Sequence, residues 1–450
     1  KRQAMTLPGF RPEVGDMFGQ KKHGGFLAPG MDFAFGFTGD DYIDRALQND
    51  WLICNDSVVS PASSNALEDL QLRISLEPIR DLKIDLTANR TRNRSREIQY
   101  MFEGMPDTRS GNFSMSIISI GSAFERPSAG DGYHSGTFER FRRNLDVIRD
   151  RVESQFLGAQ YPQGSTLAGK TFDPANGTIS KHSPDVMIPA FLAAYTGKSA
   201  RNSALDFFPS LFSMMPNWRI TYTGLTKIAW FKKNFRSVNL NHAYRSTYSV
   251  GSYNTFQSFM SYMGDIGFVE DVQSGNPIPS SRFDISMVSI NEQFSPLIGM
   301  DATLKNGLTA KVEYKTSRIL NLSMSACQLV ETASRDFVIG LGYKIVNFNL
   351  FSGRNVKDSK NRVSHDLALR ADISFRNQSA LCRDIQQGFA QATNGNKALK
   401  ISCSADYTLS RLLTLRLYYD RQQNTPLVSS SSYPVVSADF GFSMKFSLTR

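Results

Sequence analysis

The sequence predicts an all-β protein: a transmembrane antiparallel β-barrel segment, part of a very large barrel, with a helical insertion. Three observations carry this. Apolar and polar residues alternate strictly over runs of about 10 residues, the length a tilted strand needs to cross a bilayer. The apolar positions hold Leu, Phe and Tyr, while the polar ones mix both charge signs with Ser, Gly and Ala. A lipid-facing exterior around a wet interior requires that division. In mid-chain the apolar period changes from 2 to about 3.6, the period of a helix.

Taken in order, residues 70–76 and 82–88 alternate on either side of Glu77-Pro78-Ile79-Arg80-Asp81, a hairpin. Phe138, Phe141, Leu145, Ile148, Val152 and Phe156 then recur three or four residues apart, with Arg, Asp and Glu between them. This is an amphipathic helix. Residues 185–195 and 205–215 are further expected helices, the second broken at Pro209. Residues 125–217 therefore read as a helix-containing insertion. Barrel strands and loops are expected at 1–124, and barrel strands including the closing strand at 218–450. The strands counted between Ile120 and Trp218 do not preserve up–down alternation, which leaves one strand there unidentified.

Downstream, Leu308, Ala310, Val312, Tyr314 and Thr316 alternate with Thr309, Lys311, Glu313, Lys315 and Ser317. Asn306-Gly307 before them reads as a type I′ turn, in which both central residues need φ > 0. Leu367, Leu369, Ala371, Ile373 and Phe375 oppose Ala368, Arg370, Asp372, Ser374 and Arg376. Leu399, Ile401, Cys403, Ala405 and Tyr407 oppose Lys400, Ser402, Ser404, Asp406 and Thr408. Leu413, Leu415, Leu417 and Tyr419 oppose Thr414, Arg416, Tyr418 and Asp420. The last run sets Val436, Phe440, Phe442, Met444, Phe446 and Leu448 toward lipid, on the expected terminal strand. Lys311, Glu313, Lys315, Arg370, Asp372, Lys400, Asp406, Arg416, Asp420, Asp439 and Lys445 are the expected lumen-facing charges. Tight turns at Asn306-Gly307 and Ser410-Arg411 are expected opposite longer external connections at 326–335, 377–397 and 422–434. Residues 351–362 make one connection that is long on the short side.

Composition excludes several classes. Of 450 residues, 51 are Lys or Arg and 41 Asp or Glu, giving a net charge of +10. Aromatic content of 11% is too high for a disordered chain. The longest near-continuous apolar run, 187–195, contains Pro189 and falls short of the roughly 20 residues of a spanning helix. Position 1 is Lys and no charged segment leads into an apolar run, so the chain reads as a processed product or a piece of a longer one. Basic residues are not gathered among aromatics, which argues against nucleic acid as a partner. With 4 Cys no disulfide scaffold is built. Cys327 and Cys382, in expected external loops, form a possible disulfide. Cys403, on the lipid side, and Cys54, near a helix end, are expected to be free.

Candidate chemistry fails on spacing. Gly197-Lys198-Ser199 has the ending of a phosphate loop, but Leu192 stands where its first glycine belongs. Gly340-Leu341-Gly342 lacks a third glycine at Ile345, and small residues on one strand face explain it. Asp40, Asp41 and Asp44 open a short helix, where acids suit the positive end. No catalytic residue, metal site or cofactor is assigned, and enzyme activity is not supported.

One block is more specific. Pro216-Asn217-Trp218-Arg219-Ile220-Thr221-Tyr222-Thr223-Gly224-Leu225 runs through a basic turn into His242-Ala243-Tyr244-Arg245-Ser246-Thr247-Tyr248-Ser249-Val250-Gly251-Ser252-Tyr253. Together with residues 185–195 and the early Leu7-Pro8-Gly9-Phe10…Phe18-Gly19 stretch, it resembles the C-terminal segment of the SprA/Sov family. That family is the outer-membrane translocon of the type IX secretion system in Bacteroidetes, linked to gliding motility. The resemblance implies an outer-membrane location and a protein-conducting channel that passes folded cargo bearing C-terminal secretion domains. It implies as partners the upstream part of the same barrel, outer-membrane lipid, a plug protein and secreted cargo. A smaller lipid-binding outer-membrane barrel protein is implied at a lateral opening. The family draws its energy from elsewhere, so the pore needs no nucleotide site.

Two other readings stay open on the residues alone: an outer-membrane importer or porin-like barrel, and a secreted all-β adhesin. About ten to twelve strands would close only a small barrel, largely filled by its own side chains. Folded cargo needs more room. The first clear strand is therefore expected to pair with a strand upstream of Lys1 and not with 436–448.

Overall fold

The computed structural model describes residues 2–9, 22–23, 26–27, 35, 39, 41–53, 60–100, 107–346, 348, 366–409, 413–428 and 433–446. β1 (Arg2–Thr6) precedes two short strands, β2 (Lys22–His23) and β3 (Phe26–Leu27). β4 (Ala62–Ile79) and β5 (Leu82–Ile98) form a hairpin closed by Asp81 at φ 70°. β6 (Thr108–Ser116), β7 (Asn217–Tyr222) and β8 (Phe235–Thr255) follow. A side sheet of β9 (Met260–Met263), β10 (Ile266–Glu270) and β11 (Pro277–Ser281) leads through β12 (Phe283–Ile285) to β13 (Met287–Leu304). β14 (Leu308–Ser323), β15 (Gln328–Ile345), β16 (Leu367–Asp384) and β17 (Ala390–Thr408) continue the meander. β18 (Leu413–Pro426) and β19 (Val435–Phe446) end it.

The main sheet runs β1-β4-β5-β6-β8-β13-β14-β15-β16-β17-β18-β19, with antiparallel neighbours throughout. β7 adds the rest of one track. It pairs with β5 and β8 just as β6 does, so β6 and β7 are two halves of a single strand cut between Ser116 and Asn217. This accounts for the lost alternation in the sequence: the chain leaves a strand halfway along and re-enters the same track in the same direction. Among the described residues no ladder joins β1 or β4 to β19, and the sheet is open. β1 covers only 63–67 of β4.

The excursion 117–216 carries α2 (Gly136–Ser154) and α3 (Pro184–Tyr195). α1 (Tyr42–Gln48) and α4 (Ala229–Asn234) lie outside it. The predicted apolar stripe of α2 is buried: Phe138, Phe141, Leu145, Ile148 and Val152 join Phe191 and Tyr195 of α3 in the main core. That core continues into the sheet through Phe113, Tyr248, Ile290, Leu320 and Leu322, and into the side sheet through Phe268. A smaller core gathers Tyr42, Ile43, Ala46, Trp51 and Ala62 at the start of β4. The 205–215 helix does not form; a single 3-10 turn at Leu211–Ser213 stands there, because Pro209 leaves too few residues for a helical turn to propagate.

Turn chemistry also differs. At Asn306-Gly307 only the glycine is left-handed, at φ 89°, and the Gly307 N–H bonds the Leu304 carbonyl. The hairpin loop is thus three residues with glycine last, not a two-residue type I′ turn. The expected long connections shrink as well. β14 and β15 are joined through 324–327, and β16 and β17 through 385–389. Polar residues on both faces hide the alternation there, yet the backbone ladder continues. Strands of 14 to 21 residues outrun the bilayer by several residues. Loop length therefore no longer separates an inner from an outer side. Ser410-Arg411 and the 351–362 connection lie outside the described residues.

Candidate functional site

Side chains directly opposite one another in a ladder share a face. Asp301, Lys311, Gly340, Asp372, Ser402, Asp420 and Asp439 form one such row across seven strands. Rows above and below add Glu313, Ser374 and Lys400, and Thr309, Arg370 and Tyr418. All eleven charges predicted for the lumen lie on this face: Lys311, Glu313, Lys315, Arg370, Asp372, Lys400, Asp406, Arg416, Asp420, Asp439 and Lys445. Some neighbours on the face pair with each other. Lys311 and Lys315 hold Glu313 at 3.1 and 2.9 Å, Arg376 meets Asp336 at 2.9 Å, and Arg416 meets Asp406 at 3.6 Å. Gly340 and Gly342 give the face room, since a Cβ on either would strike Asp372 or Thr309. A hollow of about 320 Å³ lies there, walled by Asp301, Lys311, Arg370 and Asp372. A second, about 340 Å³, is lined by Arg73, Asp85, Arg219 and Arg245. The sequence reading missed Arg73, Asp85, Arg219 and Asp301, although they sit in the same period-2 pattern.

The opposite face is apolar and bare. Val436, Phe440, Phe442, Met444 and Phe446 stand on it, exposed; Leu448 lies outside the described residues. In register with them run Leu417, Tyr419, Leu369, Ile373, Phe375, Leu341 and Phe337. Phe440 is 69% and Phe375 45% exposed, too much contiguous apolar surface for a water-facing wall. The belt continues onto Leu70, Leu72, Ile74 and Leu76 of β4, all exposed. On β16 it spans 367–375, nine residues, which matches a tilted crossing. Antiparallel crossing strands with this division make an outer-membrane β-barrel-like fold.

Above the belt the same face turns polar: Thr316 and Arg318 on β14, Arg335 on β15, Asn377 on β16, Lys397 on β17. Here the insertion docks. Its core is built against the apolar side of the wall, beyond the belt, and not over the polar face. Glu292 and Arg318 pair at 2.6 Å beneath it, both buried. The Ser119 and Tyr244 hydroxyls donate to Glu292 at 2.7 and 2.8 Å, and Arg318 donates to the Ser122 carbonyl at 2.6 Å. Nearby, Asn217 donates to the Ser116 hydroxyl at 3.2 Å and accepts from the Ser246 N–H at 2.8 Å. The two cut ends of the split strand are thus stitched side by side. Arg383, also buried, bonds Glu331 at 3.1 Å and the Tyr133 carbonyl at 2.7 Å. A lone charge interrupting an apolar strand face, as at Glu292 and Arg318, was the available sequence signal.

Several expectations change. Asp41 makes no side-chain cap on α1, and Asp44 instead clamps Arg96 through two 2.9 Å bonds. Cys327 and Cys382 are free thiols. Cys327 bonds across to Ile385, so Cys382 lies three residues farther along β16, a rise of about 10 Å. That separation exceeds the roughly 7 Å that a disulfide bridges. Cys403 is exposed on the apolar face, as expected, and Cys54 lies outside the described residues. Among the described residues no group of three His, Cys, Asp or Glu is placed to hold a metal.

No protein-family model matches the chain, and no curated protein matches it either. Among solved structures it is similar to an in-vitro folded, trimeric form of OmpT, an outer membrane protein of Vibrio cholerae. Identity is 9% over 85% of this chain and 99% of that one, with a TM-score of 0.22, a likeness that carries no argument of its own.

Proposed function

We propose that this chain is a wall segment of a wide outer-membrane pore that conducts polypeptides, in the manner of a type IX translocon. One observation carries the reading: among the described residues, eleven crossing tracks and β1 make a sheet with no ladder between its first and last strands, a polar, partly ion-paired face on one side and an exposed apolar face on the other. A small closed porin would join its first and last strands, whereas a wide barrel needs further strands between them. The polar face suits polypeptide passage because it mixes both charge signs, some of them ion-paired, with small Ser and Gly residues. Under this reading the remaining wall, a plug and a smaller lipid-binding barrel protein complete the pore. No step here requires a cofactor.

The test is site-specific cross-linking in cells that make the assembled protein. Ser374→Cys and Ser402→Cys on the polar face should cross-link to a secreted protein arrested by a bulky fusion. Ala371→Cys on the apolar face should not. Cargo captured equally from both faces, or from neither while small solutes still permeate, would favour the porin reading.

A further inference from the structure

The insertion does not lie flush on the wall. Between its 123–133 stretch and strands β14–β17 a cleft of about 300 Å³ remains, on the apolar side and just beyond the belt. Thr316, Arg335, Asn377 and Lys397 stand opposite one another across the four strands and form its belt-side edge. Two residues closer to the belt, the same register reads Tyr314, Phe337, Phe375 and Leu399. Two residues farther away it reads Arg318, Ala333 and Ser379, which floor the cleft. Charge along this lining is unevenly engaged. Glu331, at the far end, is held by Arg383 at 3.1 Å, and the Glu125 carboxylate by Ser135 and Thr137 at 2.5 to 3.0 Å. Arg318 is paired with Glu292, although its buried Nε has no partner among the described residues. Among those residues Arg335 donates to the Glu125 carbonyl at 3.3 Å, and neither it nor Lys397 forms an ion pair. The two cations nearest the belt are the ones without a carboxylate.

The belt below the cleft is grooved. Leu341, Ala371, Cys403, Tyr419 and Phe440 make one register row, and the two small side chains in it leave a hollow of about 340 Å³. Ala371 is the midpoint of the 367–375 belt and lies six residues along β16 from Asn377, roughly 20 Å of strand. At a tilt near 45° that is about 14 Å of depth, close to half of a hydrocarbon core of about 30 Å. A cationic cleft and an apolar groove on the bilayer side are therefore spaced as the head and the chain end of a lipid in one leaflet.

We propose that the cleft takes the phosphate of an anionic phospholipid between Arg335 and Lys397, while one acyl chain runs down β16 and β17 into the groove at Ala371 and Cys403. The guanidinium fork matches phosphate oxygens in geometry as well as charge, and the ammonium adds a point charge beside it. Two cations and a cleft of this size suit a single phosphate, not a disaccharide lipid with two phosphates and several chains. The Glu125 carbonyl holds the Arg335 fork before the lipid arrives, which lowers the ordering cost of binding. This inference rests on the apolar face meeting lipid and is independent of what passes along the polar face.

The experiment is lipid retention by the detergent-solubilised full chain, read by native mass spectrometry. Phosphatidylglycerol is compared with phosphatidylcholine of the same chain length and should be retained at least tenfold better. Arg335→Gln with Lys397→Gln should abolish that preference and leave phosphatidylcholine retention unchanged. Asn377→Asp sets a carboxylate between two intact cations and should abolish it equally, which guards against a misfolded double variant. Arg73→Gln with Arg219→Gln removes the same charge from the polar face and should change nothing. Bound phosphatidylglycerol should also slow maleimide labelling of Cys403 several-fold relative to Cys327, and fail to do so in the double variant. Equal retention of the two lipids, a preference that survives either cleft variant, or unchanged Cys403 labelling overturns the proposal. Complete displacement by inorganic phosphate alone would also overturn it, since that marks a free-anion site, as would retention of lipid A in preference to phosphatidylglycerol. Partition of the protein into the aqueous phase would instead sink the membrane reading itself.

Discussion

Arg318 on β14 meets Glu292 on β13 at 2.6 Å, two buried charges directly opposite each other where the apolar belt gives way to the docked insertion. Four groups from the insertion's first turn and β8 complete their bonding: Ser119, Ser122, Tyr244 and, through Ser119, Ser246. The pair sits where the insertion leaves the wall. A buried ion pair of this kind contributes little net stability but makes the removal of one partner costly.

Replacing Arg318 by Met should therefore destabilise the docked insertion by about 3–5 kcal/mol, because Glu292 is left charged and unpaired. Arg318→Met combined with Glu292→Leu should recover much of that loss. Limited proteolysis within 117–216 reads both, and an additive double variant would contradict the coupling.

Phe442→Asp places a charge on the belt, at a cost of roughly 1–3 kcal/mol depending on depth. Ser443→Asp places it on the polar face, beside Arg416 in the register, and should be nearly neutral. Heat-modifiable gel mobility and membrane levels report the difference. Matching levels for the two variants would refute the face assignment of β19.

Asp185, buried at the start of α3, accepts from the Ser281 N–H at 3.2 Å and the Ser280 hydroxyl at 3.4 Å. Burial pushes its carboxyl above the ordinary range despite those bonds. Its folded value is raised, so its contribution to stability is full below about pH 4, the ordinary Asp value, and is lost as pH rises through the folded value. Asp185→Asn should therefore melt above wild type at pH 7.5, with the gap closing toward pH 4. Parallel melting curves at both pH values would count against it.

Glu125 behaves oppositely. Burial works to raise its carboxyl, but donors at the start of α2 outweigh it: the Ser135 hydroxyl at 2.5 Å and the Thr137 hydroxyl and N–H at 2.6 and 3.0 Å. Its folded value is lowered, so its stabilisation is present above the ordinary Glu value and lost as pH falls through the folded one. Glu125→Gln should weaken α2 protection from hydrogen exchange at pH 7 by several-fold and leave protection near pH 3 unchanged.

Without reduction, Cys327 and Cys382 should both be alkylated in the unfolded protein. An intact mass lacking both adducts would restore the disulfide that the ladder geometry excludes.

Period-2 alternation was enough to read the belt and its opposite face, because every residue from Leu367 to Phe375 reports which side it faces. The α2 stripe was equally legible. Beyond the belt β15 and β16 carry polar residues on both sides, and periodicity cannot distinguish such a stretch from a loop; hence the expected connections at 326–335 and 377–397. The split strand was illegible for another reason. Ser116 and Asn217 belong to one track only through β5 and β8, and no local pattern encodes a pairing across 100 intervening residues.

That cut strand bears on the order of assembly. The gap between β5 and β8 can be filled only after 117–216 has brought Asn217 next to Ser116. Closing a flexible loop of that length costs roughly 4 kcal/mol in chain entropy, and a prefolded insertion removes most of that cost in advance. An insertion that folds ahead of the wall would act as a splint, holding the two halves of the cut strand in line while the sheet forms around them.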